Sequence, residues 1–170
     1  QCKKADGAYI KGAEEGKLYN TVTQEVLDGE LGVEAIPCYY DRVFLEFGDR
    51  EEGDSGFYGI HDPDSEIVKR TPIASTGKRA GRQVTPEGHL LIDTRQHYVI
   101  IVRPDGSVSP AVIGMSSSQI KASRNWMSKM DNIKMRRDDG SLFTPPMFSH
   151  SYRLTTIPQN NKYGDWMGWS

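Results

Sequence analysis

The chain has 170 residues, 36% of them apolar and 26% charged, with a formal net charge of −2. That length supplies a core for one domain, and no stretch approaches the ~18 apolar residues of a membrane span, so neither a disordered chain nor a helical membrane protein is expected. The near-neutral total hides an asymmetry: residues 1–66 hold 16 acids against 6 bases, and residues 67–170 hold 7 acids against 15 bases. The basic portion can present a face to a polyanion, or the two portions can neutralise each other in the fold.

Residues 1–16 are polar and aperiodic and read as a loose arm, leaving 17–170 as a single domain. The run 18–27 (LYNTVTQEVL) is expected to be a strand ending at the Asp28–Gly29 turn. Residues 32–47 form a long extended run, with a break or bulge expected near Pro37. Residues 48–59 (GDREEGDSGFYG) are an acidic, glycine-rich loop. Its carboxylates would repel phosphate, and the spacing of Asp49, Glu51 and Asp54 matches no calcium loop. A short helix is expected over 63–69. Residues 71–88 read as a mobile basic loop carrying Lys78, Arg79 and Arg82, where little apolar area is available for burial. These three are expected to matter for affinity and not for folding.

Strands are expected at 89–93, 97–103 and 108–115, the last two joined by the turn Pro104–Asp105–Gly106. Ser116, Ser117 and Ser118 are candidate N-caps for one convincing helix over 119–134. Its apolar stripe is Ile120, Trp126, Met127, Met130 and Ile133, which assigns Trp126 to the core, while Lys121 and Arg124 lie opposite. Lys129, Lys134, Arg136 and Arg137 crowd its end, where cations suit the helix dipole. The closing segment 145–169 (PPMFSHSYRLTTIPQNNKYGDWMGW) reads as two strands, 147–157 and 165–169, around a turn over 158–164. Many short strands with one capping helix make a mainly β protein, an OB-like partly open barrel, with a sandwich as the alternative.

Catalytic and cofactor motifs are absent: no phosphate-binding glycine loop, no HExxH and no nucleophile elbow. His61, His89, His97 and His150 are scattered. Only His89 and His97 are placed to meet across a hairpin, with no third ligand at metal spacing. Asp93 is an isolated acid. Cys2 and Cys38 form no metal pattern, and free thiols are favoured over a disulfide. Neither an enzyme nor a cofactor is expected.

Cations interleaved with aromatics on the closing segment provide charge for phosphates and flat faces for bases. Its Pro145, Pro146 and Phe148, the run Asn161–Lys162–Tyr163–Gly164 and Trp166 resemble the closing segment of bacteriophage single-stranded DNA-binding proteins with OB folds. The stretches 28–47 and 114–130 also look like uncharacterised phage proteins. The resemblance covers under half of the residues. It implies an intracellular role in the infected host, in phage replication or recombination, with single-stranded DNA as partner. Replication or recombination proteins and a second copy of the chain would be further partners. The acidic first third departs from that family, as does the lack here of its usual acidic tail. The residues expected to follow phosphates are Lys121, Arg124, Arg153 and Lys162, with Lys78, Arg79 and Arg82 as a closing flap. Those expected to stack on bases are Tyr152, Tyr163 and Trp166, with Trp169 turned to the core. A different class stays open: a virion structural or assembly protein using the aromatic hairpin as a subunit interface.

Overall fold

A computed structural model describes residues 12, 14–161 and 164–170. The loose arm expected over 1–16 thus lies almost wholly outside the described residues. At its end, Gly16 is fastened: its carbonyl accepts from the Thr156 hydroxyl at 2.8 Å.

The run expected as one strand is a hairpin instead, β1 (Lys17–Tyr19) antiparallel to β2 (Val26–Asp28). Asn20 causes the reversal. Its side-chain carbonyl accepts from the backbone N–H groups of Val22 and Thr23, and Gln24 takes a left-handed φ of 59°. Strand β3 (Val33–Phe47) then runs 15 residues without the interruption expected at Pro37. Pro37 is fully buried, and the inside–outside alternation slips at the adjacent exposed pair Cys38 and Tyr39. The register irregularity falls later, between Glu46 and Phe47, opposite β4 (Phe57–His61). Helix α1 (Glu66–Arg70) and the short β5 (Gln83–Val84) follow.

The strands expected at 89–93 and 97–103 are one 13-residue strand, β6 (Leu90–Val102). Thr94, Arg95 and Gln96 separate the apolar runs in sequence, but they keep a pleated backbone because their side chains alternate between faces. Strand β7 (Val108–Ser116) leads through a single 3-10 turn, Ser117–Gln119, into α2 (Ile120–Asn132). The expected serine N-cap is not made: Ser116 forms no side-chain capping bond, and Ser117 has a left-handed φ of 50°. Strands β8 (Met135–Arg136) and β9 (Leu142–Phe143) form a small hairpin. The closing segment differs from expectation. β10 (Tyr152–Leu154) pairs with the start of β3, while β11 (Thr156–Asn161) pairs with β12 (Gly164–Trp169). Pro158 therefore sits inside a strand and not in a turn. A two-stranded ribbon tolerates it because β11 has a partner on one side only.

The main sheet has six strands, in the order β10-β3-β6-β5, with β4 added on β3 and β7 on β6; the β10–β3, β3–β4 and β5–β6 pairs are antiparallel. A mainly β chain with one main helix agrees with the expected OB-like, partly open barrel. The described residues fall into two compact units. The first takes those up to Tyr39, Tyr98–Val112 and Arg124–Ser170, and the second takes Tyr40–His97 and Ile113–Ser123. The first unit buries Val33, Ala35, Val99, Ile101, Leu154 and, from α2, Trp126 and Met130. The second buries Val43, Met115 and the cluster Phe44, Val68 and Leu91, against which Ile67 packs.

The second unit also buries polar groups. His97 is 1% exposed, packs beside Tyr40, and lies 2.8 Å from the Ser123 hydroxyl. Burial pushes its pKa down from 6.5 to about 4. The unfolded chain thus takes up this proton near pH 6.5, while the folded chain resists it down to about 4. Stability is fully present above that upper value and falls as the pH drops between the two, by up to about 1.4 kcal/mol per pH unit. Denaturant unfolding at stepped pH should show this slope in the parent and a flatter one in His97→Gln; equal slopes would assign the acid sensitivity elsewhere.

Candidate nucleic-acid interface

The basic residues sort into two populations. Lys17, Arg42, Lys69, Arg70, Arg79, Arg82, Arg95 and Arg103 each lie within 4.0 Å of a carboxylate. Among the described residues, none of Lys121, Arg124, Lys129, Lys134, Arg136, Arg137 and Arg153 does so. The ion pairs among the described residues thus all use bases within the first 103 residues, where only Arg50 and Lys78 have none, and most of the unpaired positive charge stands on α2 and the elements after it.

The loop carrying Lys78, Arg79 and Arg82 belongs to the neutralised population. Its backbone is closed on itself: Ala74 N–H donates to the Arg82 carbonyl, Gly81 N–H to that of Ala74, and Ala80 N–H to that of Gly77. Arg79 Nε lies 2.8 Å from Asp49 Oδ2, and its Nη2 lies 3.4 Å from Glu52 Oε1. Arg82 Nη2 is 3.6 Å from Glu51 Oε1. The acidic loop that would repel phosphate is thus the counter-charge of the basic one. Asp49 caps the 3-10 turn Arg50–Glu52 through a bond from Glu51 N–H, and it is 3% exposed. Its Oδ2 makes no aligned hydrogen bond, so the Arg79 charge alone compensates it. An open pocket of about 360 Å³ here is lined by Asp49 and Glu51 as well as Arg50 and Arg82. Such balanced walls do not select an anion. Of the three flap residues only Lys78 is exposed without an ion pair among the described residues.

Several other polar groups of the second unit are paired internally. Glu46 accepts from His61 Nε2 and His89 Nδ1, both at 2.7 Å. Burial raises its pKa, but the two imidazole hydrogen bonds outweigh that and leave it below the ordinary glutamate value. Tyr58 stacks on the His89 ring at 3.8 Å and donates to Asp54. His89 and His97, which could have met across a hairpin, have separate partners. Asp93 is not isolated either: Arg42 grips it with two bonds and Arg95 lies 3.3 Å away. Among the described residues no group of three or more His, Cys, Asp or Glu is arranged to hold a metal ion, and no helix is long and apolar enough to cross a membrane. Cys38 is an exposed free thiol, and Cys2 lies outside the described residues.

In the second unit Lys121 is exposed on the first turn of α2. In the first unit Arg124 and Lys129 are exposed on its later turns. Arg153 is exposed on β10, opposite Glu34 in the register. The dipole argument for the cations near the helix end holds in part. Lys134 Nζ does reach the Asp131 carbonyl at 2.9 Å, but α2 stops at Asn132, which puts Arg136 and Arg137 on the β8–β9 hairpin. The six bases against one acid over 121–137 exceed what capping a helix requires, and these two arginines stand beyond its end, before the Asp138–Asp139–Gly140 turn.

The aromatic residues behave differently from the expectation of a free stacking surface. Tyr152 meets Trp126 edge-on, with ring centroids 5.9 Å apart, and burial pushes its phenol pKa up. Trp126 is in the core as expected, so Tyr152 is its packing partner. Trp166 is half-buried, and its indole N–H donates to Gln159 Oε1 at 3.0 Å across the β11–β12 pair. Trp169 is half-buried at the far end of the same strand. Lys162 and Tyr163 lie outside the described residues.

A mainly β chain with a basic helix and hairpin, closed in its other half by internal ion pairs, is the physical type in hand. The chain belongs to the Pam3 phage gp34-like family, whose model matches residues 1–170, and is a bacteriophage protein. No curated protein and no solved structure matches it.

Two outcomes follow from the ion pairs and the Trp126 contact. Arg79→Ala should destabilise by about 2 kcal/mol, because it leaves the buried Asp49 uncompensated, whereas Lys78→Ala should stay within about ±0.5 kcal/mol. Tyr152→Ala should cost about 3 kcal/mol of stability, as removal of a packed aromatic does. Thermal or urea unfolding of the three variants checks both, and an Arg79→Ala variant as stable as the parent would refute the role given to the ion pair.

Proposed function

We propose that this phage protein binds single-stranded DNA with little base preference, in replication or recombination of the phage genome inside the host. The observation that supports this reading is the charge sorting: on α2, β8 and β10 the bases have no carboxylate partner among the described residues, while eight of the ten described bases before them do, Arg50 and Lys78 being the exceptions. Cations that are left without internal counter-charges are available to replace the counterions of a phosphate chain. In the first unit these are Arg124, Lys129, Arg136, Arg137 and Arg153; Lys121 on the second unit is of the same kind. Arg79 and Arg82 are omitted from the surface, since binding through them would first require separating them from Asp49, Glu52 and Glu51.

A virion assembly role is favoured by one observation of another kind. Strand β4 pairs only with β3, and Phe57, Tyr58 and Ile60 on it are more than half exposed. An apolar edge strand is a natural contact for another protein chain. In that reading the protein would assemble without nucleic acid, which light scattering across a concentration series would detect.

For the single-strand reading, anisotropy of a labelled poly-dT oligonucleotide should give a log–log salt slope of about −3 to −4, as expected for four to six neutralised phosphates. Arg124→Ala combined with Arg153→Ala should flatten that slope by about 1.4. A slope near zero, or equal affinity for duplex DNA, would overturn the proposal.

A further inference from the structure

We propose that the β8–β9 hairpin is a base-stacking subsite in which the Arg137 guanidinium, backed by Phe143, offers its outer plane to one nucleobase of a single strand; this rests on the reading of the chain as a single-strand binder. The closing β11–β12 ribbon, where stacking was expected, has its described Trp166 tied to Gln159.

The geometry is built from the register. Met135 faces Phe143 and Arg136 faces Leu142 in the antiparallel pair. Alternation then puts Met135, Arg137 and Phe143 on one face of the ribbon and Arg136 and Leu142 on the other. The turn is fixed by Gly140, whose φ of 85° closes a bond from its N–H to the Arg137 carbonyl, and by the Asp139 carboxylate accepting from Ser141 N–H. Arg137 in turn donates to Ser141 Oγ at 3.4 Å, and its Cζ stands 4.6 Å from the centroid of the Phe143 ring. The guanidinium is exposed and has no carboxylate within ion-pair distance among the described residues. Its Cζ stands over the Phe143 ring while the residue as a whole is exposed, which leaves the guanidinium open to a ligand on the side away from Phe143.

A planar cation supported on a ring is suited to a nucleobase, because the guanidinium stacks on π faces as well as attracting phosphate. Charge favours this occupant over an apolar protein surface. Lys134, next to the start of the hairpin, carries no ion pair among the described residues, so a strand laid along the Arg137 face would bring a phosphate to it and a base to Arg137. The carboxylates of Asp138 and Asp139 at the turn tip mark where the strand must turn away.

Arg137→Lys separates stacking from charge, since lysine keeps the charge and loses the plane. Anisotropy would be read for the parent and the variant on poly-dT and on an abasic strand of equal length. The expected result is a loss of about tenfold on poly-dT and a change within about twofold on the abasic strand. Phe143→Leu should follow the same pattern, with Arg137→Lys, an exposed conservative change, as the deciding variant. Parent-like affinity of Arg137→Lys for poly-dT, or an equal loss on both strands, would overturn the subsite and leave single-strand binding standing. A parent that binds neither strand, or a hairpin whose variants instead lose self-association, would overturn the underlying reading and the subsite with it.

Discussion

Strand β3 is the constraint on which the other elements depend. A 15-residue strand presents a long row of backbone donors and acceptors, and a buried backbone group without a partner is expensive. One flank is served by two different strands: β10 pairs with residues 33–35 and β4 with residues 44–47. The long β6 is its neighbour in the sheet order. Because a one-residue slip would exchange the two faces, the register of β3 also decides which side chains are buried. On one half the buried set is Val33, Ala35 and Pro37; on the other, Phe44 and the carboxylate of Glu46 turn inward together. That is why Glu46 needs two imidazoles around it.

The second organising fact is electrostatic. The acidic first third looks, as a sequence, like a surface that would repel a polyanion. In the fold, five of its carboxylates are paired with bases: Asp28 with Lys17, Glu25 with Arg103, Asp49 and Glu52 with Arg79, and Glu51 with Arg82. Apart from the pair on the buried Asp49, such surface pairs add little stability individually. Their larger effect is to remove these bases from competition for any external anion, so that most of the uncompensated positive charge among the described residues stands on α2 and the elements that follow.

The class of fold was legible from punctuation and alternation: several short strands, one amphipathic helix, and glycine turns at 106 and 140 that adopt left-handed backbone as needed. What was not legible was pairing over distance. Residues 147–157 read as one strand of a hairpin because hydroxyl, aromatic and β-branched residues are continuous there, yet Thr155 marks the point where the chain leaves β3 and begins a separate ribbon. The basic loop read as mobile because lysine, arginine and glycine are common in mobile loops; its partners, Asp49, Glu51 and Glu52, lie some thirty positions earlier and only the fold brings them close. For the candidate interface, Lys121, Arg124 and Arg153 were visible as an exposed basic pattern, whereas the contact of Tyr152 with Trp126 was not, because Trp126 belongs to a different element.

Thr156 joins the beginning of the described chain to its end. Its hydroxyl donates to the Gly16 carbonyl and its N–H to that of Gly29, a hydrogen-bonded closure across 140 residues. Gly29 has no room for a side chain, since a Cβ there would stand 2.0 Å from the Gly16 carbonyl oxygen. During synthesis the β1–β2 hairpin therefore emerges from the ribosome long before the residue that anchors it. Contacts of such sequence separation form late, after the entropy of closing a long loop has been overcome. The hairpin and the first half of β3 must wait, with an unsatisfied edge, until the last strands are made. An exposed strand edge of this kind is prone to aggregation until its partner arrives.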